Sequence, residues 1–534
     1  DSRYYNPLSS AGPKSGSDAQ TAKGFIEYGK LISSTSLNYV HTFAHKHHLN
    51  VLAAYEIESY QTDHASGEKS KLPSDKLTEP DNAAVLNSFK SATQAYRMIS
   101  YLSRLNYDYD DRYYIAGSYR RDGSSRLSPN NRWGNFWSVS GMWHLGNENF
   151  MKAVKPVLSD VKIRASYGVN GNQPGSYYGY KGLYSYGENY MEAAGSYESS
   201  QPNDLLTWEK NYSLNLGIDL SFINRIFASL EYYNRDTKDL LYSLPISATT
   251  GFTSYLSNIG RLNNKGIEFE LRTLNVVSND FNWTSVFNLS HNRNKIVSLN
   301  GLLDQTIEGT WFIHKVGLPY HTFYVKEFAG VDPQTGYAQY YLNTKNEDGS
   351  YNRELTTDAD KAESIPYKTA TPKVSGGFTN ILNYKWIDLT FTLTYSLGGY
   401  SFDKLGTYIE NGTSSIYSSR YNLPAYMMNR WQNPGDQTDI PRFVYNESAT
   451  STNSSRYIHS TDHLRLKNFT LGFTLPNQWT QKLMIDKVRI YFSGNNLLTW
   501  AKWKQYDPET PVNGEVFCEA PAMRTFSFGA QLSF

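Results

Sequence analysis

The final residues of the chain constrain its fold more than any other segment. Apolar side chains stand at every second position there, namely Phe526, Phe528, Ala530, Leu532 and Phe534. Small or polar residues fill the positions between them, so the period is two, as in a β-strand whose alternate side chains point to opposite faces. One face suits lipid and the other suits water. We therefore expect the last strand of a transmembrane β-barrel, closing on the first strand.

Many other segments alternate over about ten residues, the length that a tilted strand needs to cross a bilayer. The clearest are Val161–Val169, Tyr212–Leu220, Ile387–Tyr395 and Leu464–Phe473. The pattern predicts an all-β fold, a transmembrane antiparallel β-barrel with about fifteen strands in this chain, the first near Gly24 to Phe43.

The connections between these segments fall into two classes. The short ones are His45 to His48, Tyr107 to Asp111, Ile223 to Arg225, Val276 to Asp280, Tyr384 to Trp386 and Pro476 to Asp486. The long ones are Thr62 to Ser91, Asn170 to Asp204, Pro245 to Asn263, Asn292 to Thr369 and Ser401 to Thr461. The two classes mostly take turns, as periplasmic turns and extracellular loops do in outer-membrane barrels.

Composition excludes several classes of protein. Among 534 residues, 51 Lys and Arg balance 50 Asp and Glu, so the net charge of +1 gives no reason to expect a nucleic-acid partner. No run of 18 apolar residues occurs, which argues against transmembrane helices. Aromatic residues make up 15% and include 44 Tyr, which suits the girdles and loops of a porin-like barrel. The single cysteine, Cys518, permits neither an intrachain disulfide nor a cysteine metal cluster.

Strand parity leads to an expectation about domain organisation. If the last strand descends to the periplasm and about fifteen strands alternate before it, the first strand also descends. Residues 1–20 would then be an extracellular loop segment, and residues 21–534 would be the C-terminal part of the barrel. A single-chain barrel of this kind has an even number of strands, so we expect further strands upstream of Asp1.

Several motifs go beyond a generic barrel. They lie, in chain order, at Asn203–Lys210, Asn215–Leu220, Leu230–Leu241, Asn258–Phe269, Gly330–Gly336, Thr371–Phe378, Arg430–Asp436, Asp439–Arg442, Leu464–Pro476, Ser493–Leu497, Tyr506–Glu509 and Arg524–Gly529. In this order and spacing they closely resemble the barrel of SusC/RagA-type TonB-dependent outer-membrane transporters of Bacteroidetes. The resemblance runs from about residue 100 to the end.

The resemblance implies a 22-stranded barrel whose plug domain and TonB-contacting segment are absent from this chain. It implies import of a large nutrient across the cell outer membrane, an oligosaccharide more readily than a peptide. Implied partners are a SusD-like surface lipoprotein that acts as a lid, the TonB complex, the remaining N-terminal barrel and plug segment, and the lipid bilayer. It implies no chemistry on the ligand and no cofactor.

Two aromatic segments are candidates for ligand binding. The loop from Gly175 to Tyr190 holds six tyrosines, among them Tyr177, Tyr178 and Tyr180, whose rings and hydroxyls suit sugars or peptides. Trp311 and Tyr320 lie in the long connection that begins at Asn292, and long loops in folded domains are often functional. The alternative for both segments is packing against neighbouring loops or the lipoprotein.

Metal and catalytic sites are not predicted. His41, His45, His47 and His48 cluster in the sequence, but no carboxylate stands beside them, so a solvated turn is the expected structure. No Gly-x-Ser-x-Gly elbow is present, which leaves no expected catalytic residue. The alternative function is a secreted or surface all-β protein that binds or degrades glycans.

Overall fold

The computed structural model describes residues 2–6, 19–74, 76–299, 305–308, 311–410, 422–443, 453–480 and 485–533. Strands dominate these residues, and the all-β prediction is confirmed. Among the described residues, no helix has the length and apolar character to span a membrane.

Within the described residues, the main antiparallel sheet contains sixteen strands, which follow one another in chain order. They are β1 (Ser2–Asn6), β2 (Gln20–Phe43), β3 (His47–Ser70), β4 (Val85–Tyr109), β5 (Tyr113–Ser124), β6 (Trp133–His144), β7 (Leu158–Asn172), β10 (Glu209–Phe222), β11 (Ile226–Lys238), β14 (Arg261–Val277), β15 (Phe281–Ser298), β23 (Val374–Tyr384), β24 (Ile387–Leu397), β27 (His463–Thr474), β28 (Lys487–Ala501) and β30 (Thr525–Ser533). The sequence predicted about fifteen strands, one fewer than this sheet contains.

Short strands lie within the long connections. They are β8 (Tyr184–Tyr186), β9 (Ser196–Glu198), β12 (Leu241–Pro245), β13 (Ser254–Asn258), β16 (Gln305–Glu308), β17 (Phe312–Lys315), β18 (Thr322–Lys326), β19 (Phe328–Val331), β20 (Ala338–Tyr341), β21 (Leu355–Thr356), β22 (Ser364–Thr369), β25 (Tyr400–Asp403), β26 (Ile458–Ser460) and β29 (Glu515–Val516). The two α-helices are α1 (Lys404–Ile409) and α2 (Asn477–Thr480). Single 3₁₀ turns occupy Pro80–Asn82, Leu145–Asn147, Asn149–Ala153, Ala248–Thr250, Ala359–Lys361, Ala425–Asn429 and Ser455–Tyr457.

The chain divides into two compact units, each of which is described by itself. Unit 1 comprises Asp1–Gly141, Ser166–Tyr212 and Thr237–Ile259. Unit 2 comprises Met142–Ala165, Ser213–Asp236 and Gly260–Phe534.

Register in unit 2 gathers the apolar positions onto one face of the sheet. Across six successive strands, directly opposed residues form one apolar row, Trp283, Leu382, Leu389, Leu471, Phe492 and Phe528. Charged side chains lie on the other face of the sheet. There the guanidinium of Arg489 makes a bidentate salt bridge with the carboxylate of Asp388. Because successive residues of a strand alternate between faces, one register separates an apolar surface from a polar one.

Tight turns join successive strands within each unit. The turns at Ala44–His45 and Asp110–Asp111 in unit 1 have positive φ at both central residues, and so does the turn at Ile223–Asn224 in unit 2. Each is closed by a hydrogen bond between the residues that flank it. Positive φ at both positions is the mark of the type I′ turn, whose twist matches that of paired strands. These three turns confirm the predicted short connections at His45 to His48, Tyr107 to Asp111 and Ile223 to Arg225, with boundaries that differ from the predicted ones by up to three residues.

Two sequence predictions are wrong. Thr62 to Ser91 was expected to be a loop, but β3 continues to Ser70 and β4 begins at Val85, in strands of 24 and 25 residues. About ten residues suffice to cross a bilayer, so much of each strand lies outside hydrocarbon, where both faces can be polar and the alternation disappears. Ser2–Asn6, expected within a loop segment, pairs with Gln20–Gly24 as β1. Residues 7–18 of that predicted segment lie outside the described residues.

The apolar row provides a test of lipid contact. Replacing Leu471, which is 43% exposed, with Arg should lower the free energy of unfolding from lipid vesicles by about 2–4 kcal/mol, the cost of a charge in the middle of the bilayer. Thr470→Arg is the matched control, because Thr470 is the preceding residue of β27 and faces the other side of the sheet. Urea titration followed by tryptophan fluorescence measures both variants. Equal losses would contradict lipid contact at Leu471.

Candidate ligand-binding site

Three tyrosines of unit 1 form a stack, hereafter the tyrosine stack. Tyr60 and Tyr96 oppose each other across β3 and β4, with ring centroids 5.3 Å apart. The loop after β7 adds Tyr177, whose ring lies 5.7 Å from Tyr96 and 6.2 Å from Tyr60. Offset aromatic rings at these separations attract one another and provide flat apolar surface with hydroxyls at the edge.

Charged groups surround the tyrosine stack. The guanidinium of Arg126 lies 4.1 Å from the ring centroid of Tyr96 and 4.5 Å from that of Tyr177. The same guanidinium donates to the carbonyl oxygens of Pro174 and Gly175, which holds the loop against the sheet. The Tyr96 hydroxyl donates to Glu58, and Glu58 pairs with Lys30 at 3.1 Å. The stack therefore presents aromatic surface together with donors and acceptors, a combination that suits polar organic ligands.

The other two predicted tyrosines of this loop have different surroundings. The hydroxyl of Tyr178 accepts a hydrogen bond from the backbone N–H of Ala95, 3.1 Å away. Tyr180 packs against a buried cluster, Leu127, Phe136, Val169, Leu206 and Trp208. Tyr178 thus borders the tyrosine stack, whereas Tyr180 contributes to the packing of the loop.

Trp311 and Tyr320 belong to unit 2 and are held in packed surroundings. Trp311 stacks on Phe402 at 4.6 Å, and its indole N–H donates to Glu515. The ring of Tyr320 stacks on His314 at 4.1 Å. Burial and the neighbouring His321 lower the pKa of His314 to about 4. These contacts match the alternative of loop packing that the sequence left open for both residues.

Unit 2 also contains a recess of about 900 Å³, within the range of small-molecule sites. Trp500, Tyr506, Arg465 and Arg524 are among the residues that line it. Arg465 is 3% exposed and makes ion pairs with Asp507 at 2.6 Å and Glu509 at 2.9 Å. A buried cation held by two carboxylates forms a fixed charged wall beside the aromatic residues.

Sequence reasoning missed most of these residues. Tyr60, Tyr96 and Arg126 are far apart in the chain, and only the β3–β4 register and the position of one loop bring them together. For the recess the sequence does contain a signal. Aromatic residues stand at every third position there, namely Trp500, Trp503 and Tyr506. Trp503 and Tyr506 stack at 5.5 Å.

Comparison with known proteins agrees with this architecture. The model of a family described as TonB dependent receptor-like, beta-barrel matches residues 2–497. TonB-dependent receptor P3 of Formosa agariphila is 31% identical over 95% of this chain and 53% of its own length. TonB-dependent receptor SusC of Bacteroides thetaiotaomicron is 32% identical over 85% of this chain and 45% of its own length. The chain therefore spans about half the length of the curated relatives it matches.

A solved structure extends the likeness to three dimensions. The structure of the RagAB peptide transporter superposes with a TM-score of 0.86 at 28% identity. The superposition covers 97% of this chain and 56% of the chain compared.

Protonation of His314 should weaken the packing around Tyr320. Because the folded-state pKa, about 4, lies below the usual 6.5, this group stabilises the fold above pH 6.5. That contribution is lost as pH falls from 6.5 towards 4, and it amounts to roughly 3 kcal/mol. His314→Phe should show a smaller drop in melting temperature between pH 7 and pH 4.5. His41→Phe, at an exposed position, is the control. An identical drop in His314→Phe and in the unsubstituted protein would contradict the assignment.

Proposed function

Since this chain belongs to the TonB-dependent receptor β-barrel family, we propose that it contributes the membrane-spanning barrel of a transporter that imports a large nutrient. Family membership confirms the expected SusC/RagA-like resemblance, the transmembrane β-barrel class and the outer-membrane location. It gives no support to the alternative of a secreted glycan-acting protein.

The observation that carries the proposal is the likeness to the RagAB peptide transporter over 97% of this chain. A match of that extent includes the long connections, which hold Tyr177, Trp311 and Tyr320, as well as the strands, which hold Tyr60 and Tyr96. The related proteins are receptors and transporters by name. Binding, closure and release are conformational steps, so the proposed function needs no catalytic residue.

For the ligand we propose an oligosaccharide. The tyrosine stack offers the flat apolar surface on which sugar rings can lie, and Glu58, Arg126 and the tyrosine hydroxyls offer hydrogen-bonding groups nearby. The recess in unit 2 combines the same two kinds of group. Many weak contacts of this type would hold a ligand that must later be released.

A peptide is the second candidate. The RagAB structures are described as those of a peptide transporter or importer. The arginines Arg126 and Arg524 could pair with peptide carboxylates. A binding comparison between neutral oligosaccharides and peptides would therefore separate the two ligands.

We propose two protein partners for the whole transporter. A SusD-like surface lipoprotein would close over the ligand, and the TonB complex would supply energy through an N-terminal plug. Support comes from the likeness to SusC and to RagAB. Purification of the native complex followed by mass spectrometry tests both the lipoprotein and any bound ligand.

Tyr177→Ala should weaken ligand binding by about tenfold, equivalent to about 1.4 kcal/mol, because it removes one face of the tyrosine stack. Isothermal titration of the purified protein with a panel of oligosaccharides and peptides measures the change. Tyr186→Ala is the matched control, since Tyr186 lies in the same loop but is 77% exposed. Equal binding by Tyr177→Ala and the unsubstituted protein would remove the tyrosine stack from the proposed site and leave the transport proposal standing.

A further inference from the structure

A group of potential metal ligands lies at the tight-turn end of unit 1. His48 near the start of β3 is directly opposite Asp108 near the end of β4. Asp111 belongs to the turn that follows β4. One ligand atom from each of His48, Asp108 and Asp111 lies within 4.8 Å of the others. The sequence expectation of a solvated turn rested on the lack of a nearby carboxylate, and strand pairing brings two carboxylates to His48.

The distance between His48 and Asp108 is unsuited to a hydrogen bond. The imidazole Nε2 atom and Asp108 Oδ2 are 3.9 Å apart, beyond the usual range for N–H···O bonds. A transition-metal ion bound at about 2.0–2.2 Å from each atom would fit between them. Moving all three ligand atoms from their present separations to bonding distance requires shifts of about 1 Å.

Two oxygen atoms beside this group need a partner. Asp108 Oδ2 and Asn50 Oδ1 are buried atoms with no hydrogen-bond partner among the residues that the structure describes. Asn50 is two residues from His48 along β3, so both side chains project from the same face. Buried oxygens without partners are costly, and a cation would satisfy acceptors such as these.

A neighbouring hydroxyl group orients the imidazole. Thr42 Oγ1 lies 2.9 Å from His48 Nδ1. When Nδ1 carries the proton, it donates a hydrogen bond to the Thr42 hydroxyl oxygen. The Nε2 lone pair is then available to a metal, which is the arrangement that supporting residues impose at known metal sites.

We propose that His48, Asp108 and Asp111 bind one divalent transition-metal ion, with Zn²⁺ as the reference ion. A mixed set of imidazole and carboxylate donors suits Zn²⁺ better than Ca²⁺, which prefers six or more oxygens. The bound ion joins β3 to the turn between β4 and β5, and so ties together the ends of three strands. This site is independent of the nutrient that the protein carries.

Titration of the purified, tag-free protein with Zn²⁺, after removal of metal by a chelator and dialysis, tests the proposal. We expect one saturable site per chain and a higher melting temperature with Zn²⁺. His48→Gln and Asp108→Asn should each weaken binding by at least tenfold. The controls His45→Gln and Asp81→Asn, which remove a neighbouring imidazole and an exposed carboxylate in the connection between β3 and β4, should bind within about threefold of the unsubstituted protein.

Co²⁺ provides a second measurement that does not depend on the variants folding. Its visible absorption should change when it binds the unsubstituted protein, and an equivalent of Zn²⁺ should reverse the change. The proposal is overturned by a lack of saturable binding, by His48→Gln binding like the unsubstituted protein, or by equal losses in the two controls.

Discussion

Main-chain hydrogen bonding between neighbouring antiparallel strands is the constraint on which the rest of the structure depends. In hydrocarbon no water can satisfy a backbone N–H or C=O group, so each strand must pair along its length. Pairing fixes register, and register decides which side chains share a face. In unit 2 it aligns Trp283, Leu382, Leu389, Leu471, Phe492 and Phe528 in one row. An offset of one residue in β24, for example, would place Asp388 or Thr390 in that row.

Strand register also decides which charged side chains meet on the polar face of the sheet. Asp388 on β24 meets Arg489 on β28, and Arg164 on β7 meets Asp219 and Glu231 on β10 and β11. Opposite charges lie within reach because the strands that carry them are held at fixed spacing. In unit 1 the same pairing brings Tyr60 to Tyr96 and His48 to Asp108. The tyrosine stack and the proposed metal site are both products of the β3–β4 register.

Prediction from sequence succeeded for features that depend on residues close together in the chain. The type of the membrane-crossing segments and the short turns follow from a period of two and from turn residues, and the predicted number of strands is one short of the sixteen in the main sheet of the described residues. It failed at Thr62–Ser91 because strands beyond the bilayer have no apolar face to mark them. For the binding residues, the tyrosine-rich loop drew attention to Tyr177, but its partners Tyr96 and Arg126 are contributed by distant segments. For Trp311 the structure adds a stacking partner, Phe402, that lies far away in the sequence.

By itself, the sequence determined the fold class, the family and the division into strands, turns and long loops. These depend on alternation, composition and motif order, all of which can be counted along the chain. Only the tertiary structure decided which aromatic residues stack, which charges pair and which carboxylates approach His48. Such contacts depend on register and loop placement, and a difference of one residue in register moves a side chain to the opposite face of the sheet.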